Sequence, residues 1–367
     1  MQIPKLVLTG GPCGGKTTGM SYLQEKLSDR GFHPIIVPEA PTLLMLGNVT
    51  PQAYPETVFQ HGVLDLMGQL ERIWAEAAAT RPELRPIMLC DRGRPDCPPY
   101  IQEPGFYERS LAKLGYGTPV EVRDGEYKAV FHMQSVAVDA PKFYTTANNK
   151  VRRETLEEAK QRDEKTLQAW LGHPHLRVID NSTDFAGKLR RLDREICSVL
   201  GIPVPIEIER KYLCRPFPVM EQVLAPCRFI EIEQVYLHSP DPDKVVRVRK
   251  RGQDGSFVYY KTVKTELRPG ARIEVEEHIT KDQYEWSLGF ADPGRLPIRK
   301  QRYCFVWESQ YFELDVIPCP GTNQVLYLLE LELTEDNQRI RLPDFIPVER
   351  DVTNDPAYGN YALAKAA

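Results

Sequence analysis

Near the start of the chain, short and almost continuous apolar runs alternate with longer stretches of helical period. "KLVLTG" (5–10), "HPIIVPE" (33–39), "RPIMLCDRG" (85–93), "KAVFHMQSVAVD" (128–139) and "HLRVIDN" (175–181) read as strands. "GKTTGMSYLQEKLSDRG" (15–31) and "VRRETLEEAKQRDEKTLQAWLG" (151–172) read as helices. Strands apolar on both faces, interleaved with helices, predict a parallel sheet covered on both sides. Past "GIPVP" (201–205) the pattern changes to period-two alternation broken by turns such as "QDG" and "RPG". That pattern predicts an antiparallel sheet or barrel. The expected organisation is an α/β P-loop domain over 1–200, a linker at 201–205 and an antiparallel β-barrel domain over 206–367. A length of 367 residues suffices for two such cores.

The alternation in the second half carries charge. In "IEIERKYL" (206–213), Glu207, Glu209 and Lys211 share one strand face. The same spacing recurs in Arg247 and Arg249, in Tyr260, Thr262 and Lys264, and in Arg272, Glu274 and Glu276. It continues in Lys300 and Arg302, Glu313 and Asp315, and Glu330 and Glu332. Each strand therefore has an apolar face and a charged face. Composition leaves open which face is inside. Two features favour a charged lumen: acids and bases are segregated onto different strands, and the apolar positions hold Leu, Ile and Val without the large–small alternation of a narrow barrel core. Two carboxylates about 6 Å apart repel by roughly 3 kcal/mol at an effective dielectric of 20. An enclosed set of acids thus calls for a hard divalent cation, Mg²⁺ or Mn²⁺, and the bases for phosphate oxygens.

A different chemistry appears at the N-terminal end. Gly10, Gly11, Pro12, Cys13, Gly14, Gly15, Lys16, Thr17 and Thr18 form a G-x4-G-K-T loop between a strand and a helix. Its glycines let backbone N–H groups converge on a phosphate; Lys16 is expected at the β- and γ-phosphates and Thr17 at Mg²⁺. Glu39 and Asp91 end two strands, where ligands of such sheets bind. One is expected to position the cation and the other to take a proton from an acceptor hydroxyl. Arg92 stands ready to neutralise an acceptor or phosphate, and Arg152 and Arg153 read as part of a lid over the γ-phosphate.

Net charge and cysteines narrow the field. A formal charge of −4 gives no case for nucleic-acid binding. Eight scattered cysteines without a CxxC pair read as reduced cytoplasmic thiols. No run of about 18 apolar residues is present, so no membrane span is expected, and the early first strand leaves no room for a signal peptide.

The loop and the Glu39 and Asp91–Arg92 positions resemble the small-molecule kinase branch of P-loop proteins, in particular the NadR-like AAA domain, over about 3–195. The alternating set, with its ExExK of Glu207, Glu209 and Lys211, resembles the CYTH domain, the triphosphate tunnel fold, over about 206–362. That resemblance implies Mg²⁺- or Mn²⁺-dependent triphosphate hydrolysis in a tunnel, or nucleotide cyclisation. The pairing, with "TGGPCGGKTTG" and the closing "VTNDPAYGNYALA", resembles the TRPL translocation defect protein family. The resemblance implies GTP binding, phosphoinositide binding and a role in membrane-protein trafficking. The expected protein is thus a GTP- or ATP-binding regulator whose tunnel reads a polyphosphate or phosphoinositide headgroup, cytoplasmic with peripheral membrane contact. The alternative is a bifunctional kinase and triphosphatase.

Overall fold

The computed structural model describes residues 3–139, 155–202, 209–223, 225–241, 243–268, 271–322, 324–333 and 338–365, the side chains of 220, 266–268 and 271–274 excepted. The chain forms two compact units, Met1–Ile196 and Cys197–Ala367.

The first unit is built on five parallel strands in the order β2-β3-β1-β4-β5. These are β1 (Lys5–Thr9), β2 (His33–Val37), β3 (Pro86–Asp91), β4 (Ala129–Met133) and β5 (Leu176–Ile179). Leu6, Val7 and Leu8, and likewise Met88, Leu89 and Cys90, are fully buried. That is why the central strands read as unbroken apolar runs. The described helices are α1 (Lys16–Asp29), α2 (Ala40–Leu46), α3 (Glu56–Ala79), α4 (Phe106–Leu114), α5 (Pro119–Gly125), α6 (Val136–Asp139), α7 (Leu156–Trp170) and α8 (Phe185–Leu200). The change of strand order on either side of β1 places the ends of β1, β3 and β4 around one crevice.

Two sequence expectations shift. The run 128–139 is not one strand: β4 ends at Met133, and Ser135 Oγ accepts the Ala137 N–H to open α6. A short side-chain cap thus turned an apolar stretch into a helical turn. The helix expected over 151–172 is α7, whose Thr155–Glu158 capping box opens it; 151–154 lie outside the described residues.

The second unit is a nine-stranded antiparallel sheet in the order β10-β9-β8-β7-β11-β12-β13-β6-β14. The strands are β6 (Glu209–Cys214), β7 (Cys227–Leu237), β8 (Lys244–Gln253), β9 (Ser256–Arg268), β10 (Ala271–Ile279), β11 (Ile298–Trp307), β12 (Gln310–Pro318), β13 (Val325–Glu332) and β14 (Val348–Asp351). One face carries Tyr212, Tyr303, Phe305, Phe312, Leu314, Leu329 and Leu331, packed with Phe217, Val219 and Ile346. On the other face Leu213 of β6 and Val245 of β8 join one cluster with Tyr236, Ile298, Ile317, Leu328, Val352, Leu363 and Ala364. In a flat sheet two strands five places apart would stand about 24 Å apart. The sheet therefore curls about this second face.

Candidate functional site

The first site is backbone architecture. Gly10, Cys13 and Gly15 hold φ of 129°, 58° and 89°. A Cβ on Gly10 or Gly14 would strike Met133 O at 2.2 or 2.3 Å. Glycine is required there because the loop lies directly on the end of β4. Lys16 curls over the loop, its Nζ donating to Gly10 O (2.8 Å) and Gly11 O (3.0 Å). Burial, then the neighbouring Arg92, lowers its pKa to about 8. Pro12 is half-buried, and Thr17 and Thr18 are exposed on the first turn of α1.

Glu39, Asp91 and Arg92 meet this loop. Arg92 Nε donates to Glu39 Oε1 at 2.8 Å, and its Nη1 lies 3.4 Å from Gly10 O. Thr42 Oγ1 donates to the other Glu39 oxygen at 2.6 Å. Arg92 adopts φ 74°, which turns its side chain toward the loop at the end of β3. Asp91 Oδ1 is buried with no hydrogen-bond partner among the described residues. Burial and then Glu39 raise the Asp91 pKa. An orphaned carboxylate oxygen beside a phosphate loop fits a hard cation or the water it carries. Arg152 and Arg153 lie outside the described residues.

The second site follows from strand register. Side chains paired across antiparallel strands share a face. Glu209 pairs with Glu332, Lys211 with Glu330, Glu330 with Glu313, and Asp315 with Arg302. From Lys300 and Arg302 the same face passes through Ile232 and Ile230 to Arg247, Arg249 and Arg251. It ends on Tyr260, Thr262 and Lys264, with His278 and Glu276 opposite the first two. Arg272 stands opposite Glu266 on the same edge. The bases of β8 and β11 are not on adjacent strands: β7 lies between them and contributes Ile230, Ile232, Gln234 and Tyr236. Glu207 lies outside the described residues.

This face is deeply enclosed. Asp315 is 0% exposed, Lys300 6%, Glu330 7% and Arg302 8%. Its charges are also paired. Arg302 clasps Asp315 with two 2.7 Å bonds, reaches Glu330 at 2.9 Å and also holds Glu313. Lys211 meets Glu330 at 2.9 Å and Glu209 at 3.6 Å, and Lys300 bonds Asp315. Arg249 donates to Glu276 at 2.7 Å, which also accepts from Thr262 at 3.0 Å. Burial raises the Glu330 carboxyl, but Lys211, Lys300 and Arg302 outweigh it and hold it well below the usual range.

The cost of enclosing acids, assigned from sequence to a metal, is thus met here by the sheet's own bases, and acids and bases are not fully segregated. Among the described residues no group of three or more His, Cys, Asp or Glu gathers tightly enough to hold a metal ion. The donor chemistry still suits one. Glu209 and Glu332, both exposed, stand directly opposite each other, a like-charge pairing that a cation relieves.

Sequence reasoning missed Arg251, only 1% exposed, although the alternation of Arg247 and Arg249 continues onto it. It also missed Asp163, which sits on the buried stripe of α7 with Ala159, Thr166 and Trp170. A carboxylate at a core position was the available signal. No described helix is long and apolar enough to cross a membrane.

Comparison with known proteins gives a family model and several relatives. Residues 5–188 match the family model of an AAA domain. An inorganic triphosphatase of Acetivibrio thermocellus is 35% identical over 125 residues, 34% of this chain and 74% of its own. A solved inorganic triphosphatase is 30% identical over 44% of this chain and 96% of its own, with a TM-score of 0.33. A Hippeastrum protein with a dominant triphosphatase activity is 20% identical over 35% of this chain and 80% of its own, with a TM-score of 0.25. The chain therefore belongs to the AAA domain family through residues 5–188 and also to the family of the Acetivibrio inorganic triphosphatase.

Proposed function

We propose that residues 1–200 form a domain that binds a nucleoside triphosphate, GTP or ATP, and that 206–367, joined to it through 201–205, bind and hydrolyse a linear triphosphate. The observation that carries this reading is the enclosed face on which Lys211, Lys300 and Arg302 are interleaved with Glu313, Asp315 and Glu330. Such a face is costly to bury for packing alone. It suits a ligand that presents clustered anionic oxygens together with a divalent cation. The 35% identity to an inorganic triphosphatase supports hydrolysis.

In the first domain Lys16 neutralises the β- and γ-phosphates, and Thr17 and Asp91 hold Mg²⁺. Glu39 or Asp91 takes a proton from an acceptor, and Arg92 balances its charge. Arg152 and Arg153 belong to a lid in this reading. In the second, Lys211, Arg247, Arg249, Lys264, Arg272, Lys300 and Arg302 hold phosphate oxygens. Glu207, Glu209, Glu274, Glu276, Glu313, Asp315, Glu330 and Glu332 are the candidate oxygen ligands for Mg²⁺ or Mn²⁺. A divalent ion there supplies charge neutralisation at the phosphate. The test is phosphate release from tripolyphosphate with Mn²⁺ or Mg²⁺ by the full chain. Turnover that is lost in Glu207→Gln with Glu209→Gln supports the reading. Tight binding of tripolyphosphate without turnover sinks the hydrolytic part.

A second reading makes the chain a nucleotide-binding regulator of membrane-protein trafficking, like the TRPL translocation defect proteins, with a phosphoinositide headgroup on the same bases. Trp286, Leu288 and Phe290, which are 70%, 37% and 50% exposed, favour it. They form an apolar knob where the Phe290 carbonyl accepts the His238 N–H just past β7. An aromatic knob suits a peripheral membrane contact.

A further inference from the structure

Asp163 lies 152 residues from the phosphate loop in sequence, yet its carboxylate reaches the loop's backbone. Oδ1 accepts the Gly11 N–H at 2.7 Å and the Ser135 N–H at 3.0 Å. Oδ2 faces His132 Nε2 at 3.1 Å. A carboxylate only accepts, so Nε2 carries the proton and donates. The Ser135 hydroxyl in turn donates to Pro12 O. Two consecutive residues of the loop are thereby tied to the end of β4 and to α7. Asp163 is 3% exposed and His132 0%. A Cβ at Gly11 would sit 2.8 Å from Asp163 Oδ1, so the loop is glycine here because the carboxylate occupies the space.

The tie stands immediately before a strained residue. Cys13 holds φ 58°, a left-handed conformation that costs an L-residue and not a glycine. Released from Gly11 and Pro12, the loop would relax toward ordinary backbone angles and lose its phosphate-binding shape. The Gly11 N–H that Asp163 holds is thereby committed within the protein.

We propose that Asp163 is a positioning residue for the nucleotide: it holds the phosphate loop, with Cys13 kept in its strained conformation, so that the loop is shaped before ligand arrives. The proposal rests on the reading of this loop as a nucleotide site. Preorganisation of this kind raises affinity by removing an ordering cost. Its effect is the same for ATP and GTP, because it acts before either base is read.

The experiment measures ATP and GTP affinity of the full chain by calorimetry, well below the melting temperature. Thermal melting without nucleotide is followed in parallel. Asp163→Ala should weaken whichever nucleotide binds by about 30-fold, the scale of a lost charge-assisted hydrogen bond. Asp163→Asn keeps an acceptor for the two N–H groups and should lose only about fivefold. The discriminating variant adds Cys13→Gly to Asp163→Ala. Glycine accepts the left-handed angle, so affinity should recover at least about threefold while melting stays where Asp163→Ala left it. If Asp163 merely docks α7, the added glycine recovers nothing, and that result overturns the proposal. So does wild-type affinity in folded Asp163→Ala. Should that variant not fold, the same comparison runs on Asp163→Asn with and without Cys13→Gly. Wild-type protein that binds neither nucleotide would fail the nucleotide reading itself, a distinguishable outcome.

Discussion

In the proposed reading the two units hold anionic oxygens with opposite materials. The loop at Gly10–Gly15 uses backbone N–H groups fixed by left-handed angles at Gly10, Cys13 and Gly15. Its attraction for phosphate comes from dipoles that cannot titrate and need no counter-charge. The curled sheet uses full charges on side chains, and full charges cannot be enclosed alone. Its bases are therefore already engaged: Arg302 spends its guanidinium on Asp315, Glu313 and Glu330. On that reading the loop meets ligand with its dipoles already set, whereas the sheet must exchange internal ion pairs for it.

The contrast is broken or confirmed most sharply by removing one base from each. Arg302→Met would take the guanidinium from three carboxylates, leaving Asp315 with Lys300 alone and Glu330 with Lys211 alone, and losing one partner of a buried pair costs about 3–5 kcal/mol. Chemical denaturation should show that loss even without ligand. Lys16→Ala should do the reverse. Among the described residues its Nζ donates only to loop carbonyls, so melting should hardly move while nucleotide affinity falls by about 100-fold, roughly 2.7 kcal/mol. Equal melting of the two variants would erase the distinction.

This asymmetry also explains what the sequence made legible. A backbone site needs contiguous residues, so Gly10 to Thr18 could be read as a unit. The sheet's charges were legible for another reason: register places every second residue on one face, and the alternation survives in each strand from Glu209 to Glu332. What could not be read was partnership. Nothing along the chain tells that Arg302 meets Glu330, or that β7 separates β8 from β11, because strand order is a tertiary fact. Asp163 was missed for a different reason: it falls on the stripe of Ala159, Thr166 and Trp170, but between Arg162 and Glu164 it reads as one more solvated charge.

Acid reaches the second unit by the same logic. The Glu330 pKa is depressed in the folded protein, so its contribution to stability is complete above the unfolded value of about 4.3 and is lost as pH falls below it. Melting followed from pH 7 to pH 3 should fall in that window, and Glu330→Gln should start lower and fall less. A smaller effect separates triphosphate from headgroup. Arg247→Ala with Arg249→Ala should cost about tenfold in binding of tripolyphosphate. In the regulator reading the pair also loses its preference for vesicles with a polyphosphorylated phosphoinositide over vesicles of equal charge from a monophosphate lipid. Unchanged preference would leave β8 outside the ligand site.

The smallest expected effect is on the loop, and it tests Lys16, whose ammonium lies on the loop's own carbonyls. Burial and Arg92 hold Lys16 near a pKa of about 8. The protonated form is the one that attracts phosphate, and bound phosphate must raise that pKa. Between about 8 and the higher bound value, binding therefore takes up a proton, and affinity falls as pH rises. From pH 7 to pH 8.5 the protonated fraction drops from roughly nine-tenths to a quarter, so affinity should fall by about fourfold. Calorimetry in buffers of different ionisation enthalpy reads the proton uptake directly. Lys16→Arg removes the titration, because a guanidinium stays charged throughout this range. Its affinity should be flat with pH, whatever its absolute value. A slope that persists in Lys16→Arg would place the titrating group elsewhere.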